Sequence, residues 1–335
     1  MFASIETMTR EEVIESVRSM LTRAQFEVSN PLSMRGTRFD IIARRDEILI
    51  IIKVLSNVDA FSKDNAEELL CIGQALGASP ILVGERSGSG EIEAGIIYSR
   101  FGIPIISVET LADYIIEGVP PLIFAASGGF YVKIDSELMH KIREERNISL
   151  GTLAEIAGVS RRTIQMYEGG MGAMIDAALR LEEYLDQPIL MPIDPFAPIQ
   201  KIKNTQKKEI TSPAPQPATQ DVFTKEVFNT LSTMGFSVTP VTRSPFEALA
   251  QDSQILILTA LGKDENTILS KAASVSDISR ITGRYSVLII ERGRGRENIG
   301  GTPLIDREEL KSIDETYVLY DIVSSRGDSN ETNKN

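Results

Sequence analysis

The segment from Ser149 to Gly170 reads SLGTLAEIAGVSRRTIQMYEGG. Serine is a strong helix N-cap, because its hydroxyl accepts a hydrogen bond from one of the first-turn amides that a helix leaves unpaired. Ser149 and Ser160 each precede such a run, so the spacing predicts a helix from Leu150 and another from Arg161 to Glu168. Between them, Gly158 is free to adopt the positive φ that a sharp turn requires. Two helices packed across so short a turn need a small residue where they touch, and Ala154 provides it. They also need an apolar anchor on the second helix, which is Ile164. Counted from Leu150, these three fall at positions five, nine and fifteen. Upstream, Asp135 is placed to cap a helix from Ser136 to Asn147 whose Leu138 and Ile142 face inward. Gly169 and Gly170 are expected to end the last helix in a left-handed conformation.

With Ile164 turned inward, steps of about 100° per residue place Arg162 and Met166 on the far side. Arg161 and Gln165 flank one edge and Thr163 the other. Arg and Gln are the side chains that hydrogen-bond guanine and adenine edges bidentately in the major groove. The expected roles are therefore Arg161, Arg162 and Gln165 on base edges. Ser149, Ser160, Thr163 and the first-turn amides are expected on phosphates. The competing reading is an exposed polar face on a helical bundle. Local charge favours that rival, since residues 136–198 hold six Lys/Arg against ten Asp/Glu.

The rest of the chain narrows the choices. Its 335 residues carry a net charge of −12, with 42% hydrophobic and 24% charged residues, so two or three domains of ordinary globular material are expected without bulk attraction for nucleic acid. Cys71 is the only cysteine and His140 the only histidine, which excludes disulfides within the chain and thiolate zinc sites. No cofactor and no metal is expected. No stretch is apolar enough to cross a membrane and the N-terminus lacks a signal-peptide core, so a cytoplasmic protein is expected.

Four segments follow one another. Residues 1–127 alternate helical runs with strand-type runs, and Thr9 with Glu12 marks the start of the first helix. FDIIA (Phe39–Ala43) and EILIIIKV (Glu47–Val54) read as a hairpin turning at Arg44-Arg45-Asp46. Residues 128–192 open with the strand FYVKI and are otherwise helical. Residues 193–220 are rich in Pro and Gln and carry Lys201, Lys203, Lys207 and Lys208; they read as a flexible linker. Residues 221–325 repeat the first segment: FEALAQDSQILILTAL aligns with FDIIARRDEILIIIKV, SVLIIER with PILVGER, and GTPLIDREEL with GIPIISVETL. Residues 326–335 read as a disordered tail. The fold class expected is thus a multidomain α/β plus all-α protein, with a mixed-sheet domain, a helical domain and a second, degenerate α/β copy.

The segment LGTLAEIAGVSRRTIQMYEGG resembles the Cro/phage-repressor class of helix-turn-helix. Together with FDIIARRDEILIIIKVLSNVDAF upstream and RLEEYLDQPILMPIDPF downstream, it is similar to a family of archaeal HTH-type transcriptional regulators. That resemblance implies sequence-specific binding of double-stranded DNA. The α/β segment is similar to the restriction-endonuclease-like fold, whose signature is an Asp at the start of one strand and an acid-x-Lys on the next. Asp40 and Lys53 match it, but Ile51 stands where the second acid belongs. In the second copy Glu247 replaces Asp40 and Ala260 replaces Lys53, so Asp40 and Lys53 read as remnants of a catalytic site and the protein as no enzyme.

Two rivals remain at this stage: a metal-dependent nuclease targeted by its own helix-turn-helix, and a bridge to the transcription machinery that does not read DNA. One helix-turn-helix reads too few base pairs to select a genomic site, so a homodimer joined through the α/β units is expected.

Overall fold

The computed structural model describes residues 9–32, 36–197, 221–293 and 295–327. The lysines of residues 201–208, Arg294 and residues 328–335 lie outside the described residues.

The first repeat runs α1 (Arg10–Arg23), β1 (Glu27–Val28), β2 (Ile41–Arg45), β3 (Ile48–Asn57), α2 (Lys63–Leu76), β4 (Ser79–Ser87), β5 (Gly90–Glu91), β6 (Ile96–Arg100), β7 (Ile103–Ile106) and α3 (Val108–Ile115). The central segment adds β8 (Ile123–Ala126), β9 (Gly129–Ile134), α4 (Ser136–Glu145), α5 (Leu150–Ala157), α6 (Arg161–Glu168), β10 (Ala173–Met174), α7 (Ile175–Leu185) and β11 (Leu190–Met191). The C-terminal segment comprises α8 (Val222–Met234), β12 (Ser237–Pro240), β13 (Ala248–Gln251), β14 (Leu256–Gly262), α9 (Glu265–Thr282), β15 (Tyr285–Ile290), β16 (Asn298–Ile299), β17 (Thr302–Asp306), α10 (Arg307–Lys311) and α11 (Thr316–Arg326). Mixed sheets with helices, and a helical module between them, are the fold class the sequence predicts.

The repeat extends to strand register. Ile41 pairs with Ile52 in the first copy and Ala248 with Thr259 in the second, both positions shifted by 207 residues. The parallel pair Leu82↔Ile105 returns as Leu288↔Leu304, and the antiparallel pair Ser99↔Pro104 as Asn298↔Pro303. Register is fixed by which face each strand buries, because a slip of one residue turns every side chain to the other side. Two copies with the same registers therefore bury the same faces.

By contacts the chain divides into two compact units, neither of which coincides with a repeat. One groups the chain up to Ala24 with Val54–Lys63 and Ile81–Ala197. The other groups Gln25–Lys53 and Asp64–Pro80 with the chain from Pro198 onward.

In the first unit, α1 starts with the capping box that Thr9 and Glu12 predict: the Thr9 hydroxyl accepts from the Glu12 amide, and the Glu12 carboxylate accepts from the Thr9 amide at 2.7 Å. The sheet continues through β4, β7, β6, β8, β9 and β10, with β11 also on β9. β8 lies parallel to β6 through Ile96↔Ile123 and Ile97↔Phe124, and β9 returns antiparallel to β8. The junction at residues 127–128 therefore falls in a hairpin turn, where Gly128 takes φ 99° and Gly129 φ 144°, and not at a break in pairing. Val132 and Ile134 of β9 join Met139 and Ile142 of α4, Leu153 of α5 and Leu181 of α7 in one buried cluster.

In the second unit, β12-β13-β14-β15-β17-β16 form a sheet whose first three strands are antiparallel, while β14, β15 and β17 run parallel. Leu231 and Leu319 pack on Ile257, Val287 and Ile305 to form its core. β1, β2 and β3 as far as Lys53 form an antiparallel meander in the same unit. Its hairpin turns later than predicted: Arg44 and Arg45 remain in β2, and Asp46 takes the left-handed conformation at φ 52°. Asp tolerates that conformation better than Arg, because its short side chain can bond locally.

Candidate nucleic-acid interface

Both short helices form with their serine caps in place. The Ser149 hydroxyl accepts from the Thr152 amide at 3.0 Å, and the Ser160 hydroxyl from the Thr163 amide at 3.1 Å. Each serine also shares a 2.9 Å hydroxyl–hydroxyl hydrogen bond with its threonine. Gly158 ends α5 with φ 70° and ψ 32°, and its amide bonds back to the last turn. A side chain there would be strained by that φ. Ala154 and Ile164 are buried, Ile164 completely. At the far end of α6, Gly169 keeps φ −87° and only Gly170, at φ 92°, is left-handed.

The burial of Ile164 and Tyr167 leaves Arg161, Arg162, Gln165 and Met166 on the exposed side of α6, with Thr163 half-buried. Among the described residues neither Arg161 nor Arg162 has an ion-pair partner. The Arg161 guanidinium folds back over α5: a Cβ built on Gly151 would sit 3.0 Å from its Nη2. It therefore lies beside the first turn of α5, where unpaired amides favour an anion.

The base of α6 is held from α4. The Arg143 Nε donates to Glu168 Oε1 at 2.6 Å, and His140 Nδ1 lies 3.1 Å from Glu168 Oε2. Burial pushes the Glu168 carboxyl up, but its hydrogen bonds to Arg143 and His140 overcome this and hold it below its ordinary range. Ser136 adds a hydrogen bond of 2.6 Å to the Tyr167 carbonyl. Nothing in the local sequence pattern announces this clamp, since the partner of His140 lies twenty-eight residues away.

The nuclease-like residues meet in a different manner. Asp40 donates its amide to the Ile52 carbonyl at 2.8 Å, which sets its side chain across from Lys53 on one sheet face. Lys53 Nζ lies 3.2 Å from Asp40 Oδ1 and also donates to the Thr37 carbonyl. Both side chains are nearly inaccessible, at 5% for Asp40 and 11% for Lys53. Ile51, two residues back on the same face, is fully buried. A divalent ion needs several oxygen ligands. Here the Asp40 carboxylate is already bonded to an ammonium, its neighbour Ile51 is a hydrocarbon, and Glu12 is engaged in its capping box. Among the described residues no group of three or more His, Cys, Asp or Glu could hold a metal ion. The residues present do not fit a catalytic Mg²⁺.

In the second copy the amide of Glu247 likewise bonds to the Thr259 carbonyl, setting Glu247 across from Ala260. The lysine is nonetheless replaced. Lys271 of α9 reaches Glu247 Oε1 and donates to the Leu261 carbonyl at 3.0 Å, while Glu247 accepts from the Leu261 amide at 2.7 Å. Burial still pushes the Glu247 carboxyl up, against the pull of Lys271. Each copy thus neutralises the same carboxylate with an ammonium, from the strand in one and from a helix in the other.

Comparison with known proteins agrees with this geometry. Residues 10–121 match the model of a PD-(D/E)XK superfamily domain, and residues 139–190 match that of a helix-turn-helix. The chain is 40% identical over 319 residues to a protein of Methanocella arvoryzae named as an HTH-type transcriptional regulatory protein, covering 95% of this chain and 97% of that one. Proteins of the same designation from Haloarcula marismortui and Methanosarcina acetivorans are each 36% identical, covering 97% and 96% of this chain and 99% of each relative. The chain belongs to this archaeal family of HTH-type transcriptional regulatory proteins. No solved structure matches it. No helix among the described residues is long and apolar enough to cross a membrane.

Proposed function

We propose that the protein is a sequence-specific regulator that reads double-stranded DNA through α6. The observation that carries this reading is the pair Arg161 and Arg162, both exposed on α6 and without an ion-pair partner among the described residues, with Arg162 opposite Ile164 and Arg161 and Gln165 along one edge. Arg162 and Gln165 are assigned to base edges. Arg161, beside the first turn of α5, can serve a phosphate as well as a base, and Ser149, Ser160 and Thr163 with the first-turn amides take phosphates. In this scheme residues 128–192 are the DNA-reading module, residues 1–127 and 221–325 its nuclease-like partners and residues 193–220 the connection between them.

Replacing Arg162 with Ala should weaken binding to a selected operator by about 1–3 kcal/mol, as loss of one base contact does, without changing the thermal melt. Titrating a labelled operator checks this. Unchanged affinity after replacing Arg161 and Arg162 together would remove the DNA-reading assignment.

The nuclease-like domain keeps a second reading in view, a metal-dependent nuclease directed by the helix-turn-helix. We assign it no catalysis, because Ile51 replaces the second acid and Asp40 is bonded to Lys53. Incubation with Mg²⁺ or Mn²⁺ should leave duplex, branched and single-stranded DNA intact. Cleavage that disappears in Asp40→Asn would reverse that assignment.

One module covers about four or five base pairs of one groove face, so we propose that a homodimer presents two copies to inverted half-sites. Light scattering at micromolar concentration should give twice the chain mass; a monomeric mass both free and on DNA would rule this out. A bridge to the transcription machinery fits the acidic chain but gives Arg161 and Arg162 no task.

A further inference from the structure

The pieces of the first repeat that share a unit with the C-terminal repeat touch it in a reciprocal pattern. The connection between β1 and β2 meets the corresponding connection between β12 and β13, where the Arg38 amide donates to the Arg243 carbonyl at 3.0 Å. On one side, Glu68 of α2 in the first repeat accepts from the Thr242 hydroxyl at 2.9 Å and from its amide. Arg38 ties that corner together, with Nε 2.5 Å from Glu68 Oε2 and a donor 2.8 Å from the Thr242 hydroxyl. On the other side, the roles are exchanged. Asp277 of α9 accepts from the Asn30 amide at 2.6 Å, and Arg280 bonds both Asp277, at 2.8 Å, and Glu27 of β1.

α2 and α9 are equivalent elements, each following the third strand of its repeat. Each helix reaches the region between the first two strands of the other copy, and those two regions touch each other. That is the signature of an isologous interface, in which patch i meets patch j while j meets i about a two-fold axis. The usual occupant of such a surface is a second copy of the same chain. Here the second copy is encoded downstream on the same chain.

We infer that the two nuclease-like repeats form a pseudo-two-fold dimer within one chain, and that this face is therefore unavailable for pairing between chains. Physical linkage favours this arrangement: a partner encoded on the same chain is met at an effective local concentration far above that of a free one. The pairing departs from the sequence-based expectation of α/β units that join two chains. The inference is independent of DNA reading, so either can fail alone.

The test uses the full chain with Cys71→Ser, Glu27→Cys and Arg280→Cys, treated with a short bismaleimide. The two new positions are 44% and 48% exposed, so the Glu27–Arg280 pair they lose is of the solvent-screened kind that contributes little, and Asp277, which also loses Arg280, keeps the Asn30 amide. The expected product is a cross-link within one chain, migrating at the mass of a monomer, with the peptides around positions 27 and 280 joined. Products of two chains joined through these positions would overturn the inference. So would the absence of any cross-link when a monomaleimide labels both thiols. In a second arm, a protease site placed between Thr211 and Ala214 is cut to completion in the full chain. The two pieces should co-elute on size exclusion at about 1 µM, and adding Arg38→Ala and Asp277→Ala should separate them. Separation of the pieces without those substitutions would also overturn it.

Discussion

Ile164→Asp should leave the central segment unfolded and DNA binding undetectable. Ile164 is wholly inaccessible, in a cluster that draws on β9, α4, α5, α6 and α7. The substitution removes the apolar contacts and puts a carboxylate where no donor awaits it. Cavity formation alone costs about 2–5 kcal/mol and an unpaired buried polar group adds about 1–3, against a typical domain stability of about 5–15. A thermal melt by circular dichroism, with Ile164→Val as the control at about 1 kcal/mol, makes the comparison. If the Asp variant melted within a few degrees of wild type, α6 would not be anchored as described.

The second large effect is expected at Asp40 and Lys53, and it separates a structural pair from a catalytic one. Lys53→Met leaves the Asp40 carboxylate in a nearly inaccessible site without its ammonium. Breaking a buried pair by removing one partner costs about 3–5 kcal/mol, whereas replacing both with hydrocarbon of similar volume is often neutral. The double variant Asp40→Leu/Lys53→Met should therefore recover most of the stability that Lys53→Met loses, short of the Thr37 carbonyl that Lys53 also served. Denaturant melts of the three variants form the cycle. A double variant as unstable as the single one would mean that the pair holds more than its own charge. The same cycle at Glu247 and Lys271 should show the same sign, as each copy neutralises its carboxylate independently.

Much of this was legible in the chain because it is written locally. Serine caps, Gly158 and the inward Ile164 lie within a few turns of one another, so spacing alone determines what they can form. The repeat was legible for a related reason: strand faces repeat their apolar pattern, and the registers follow. What stayed hidden depends on distant partners. β8 joins β6 through a parallel pairing of Ile96 with Ile123 that no alternation of side chains encodes. Lys271 reads as one more polar residue on a helix, and only folding brings it to Glu247. Asp277 likewise looks like a solvated helix residue, and its burial depends on an amide 247 residues away. The chain also reads as four successive modules, whereas its contacts interleave them.

The continuous pairing from β6 through β8 to β9 bears on how such a protein can be inherited. A gene fusion that joined a ready-made helix-turn-helix cassette at the hairpin, or a deletion that removed one, would cut through a hydrogen-bonded ladder. It would strand β6 as a bare edge, open to mispairing with other chains. Recombination is most easily survived in exposed connections that few hydrogen bonds cross. The stretch from Ile96 to Ile134 is the opposite kind of place, so the helix-turn-helix segment and the first repeat are expected to descend together, with length changes gathering elsewhere in the chain.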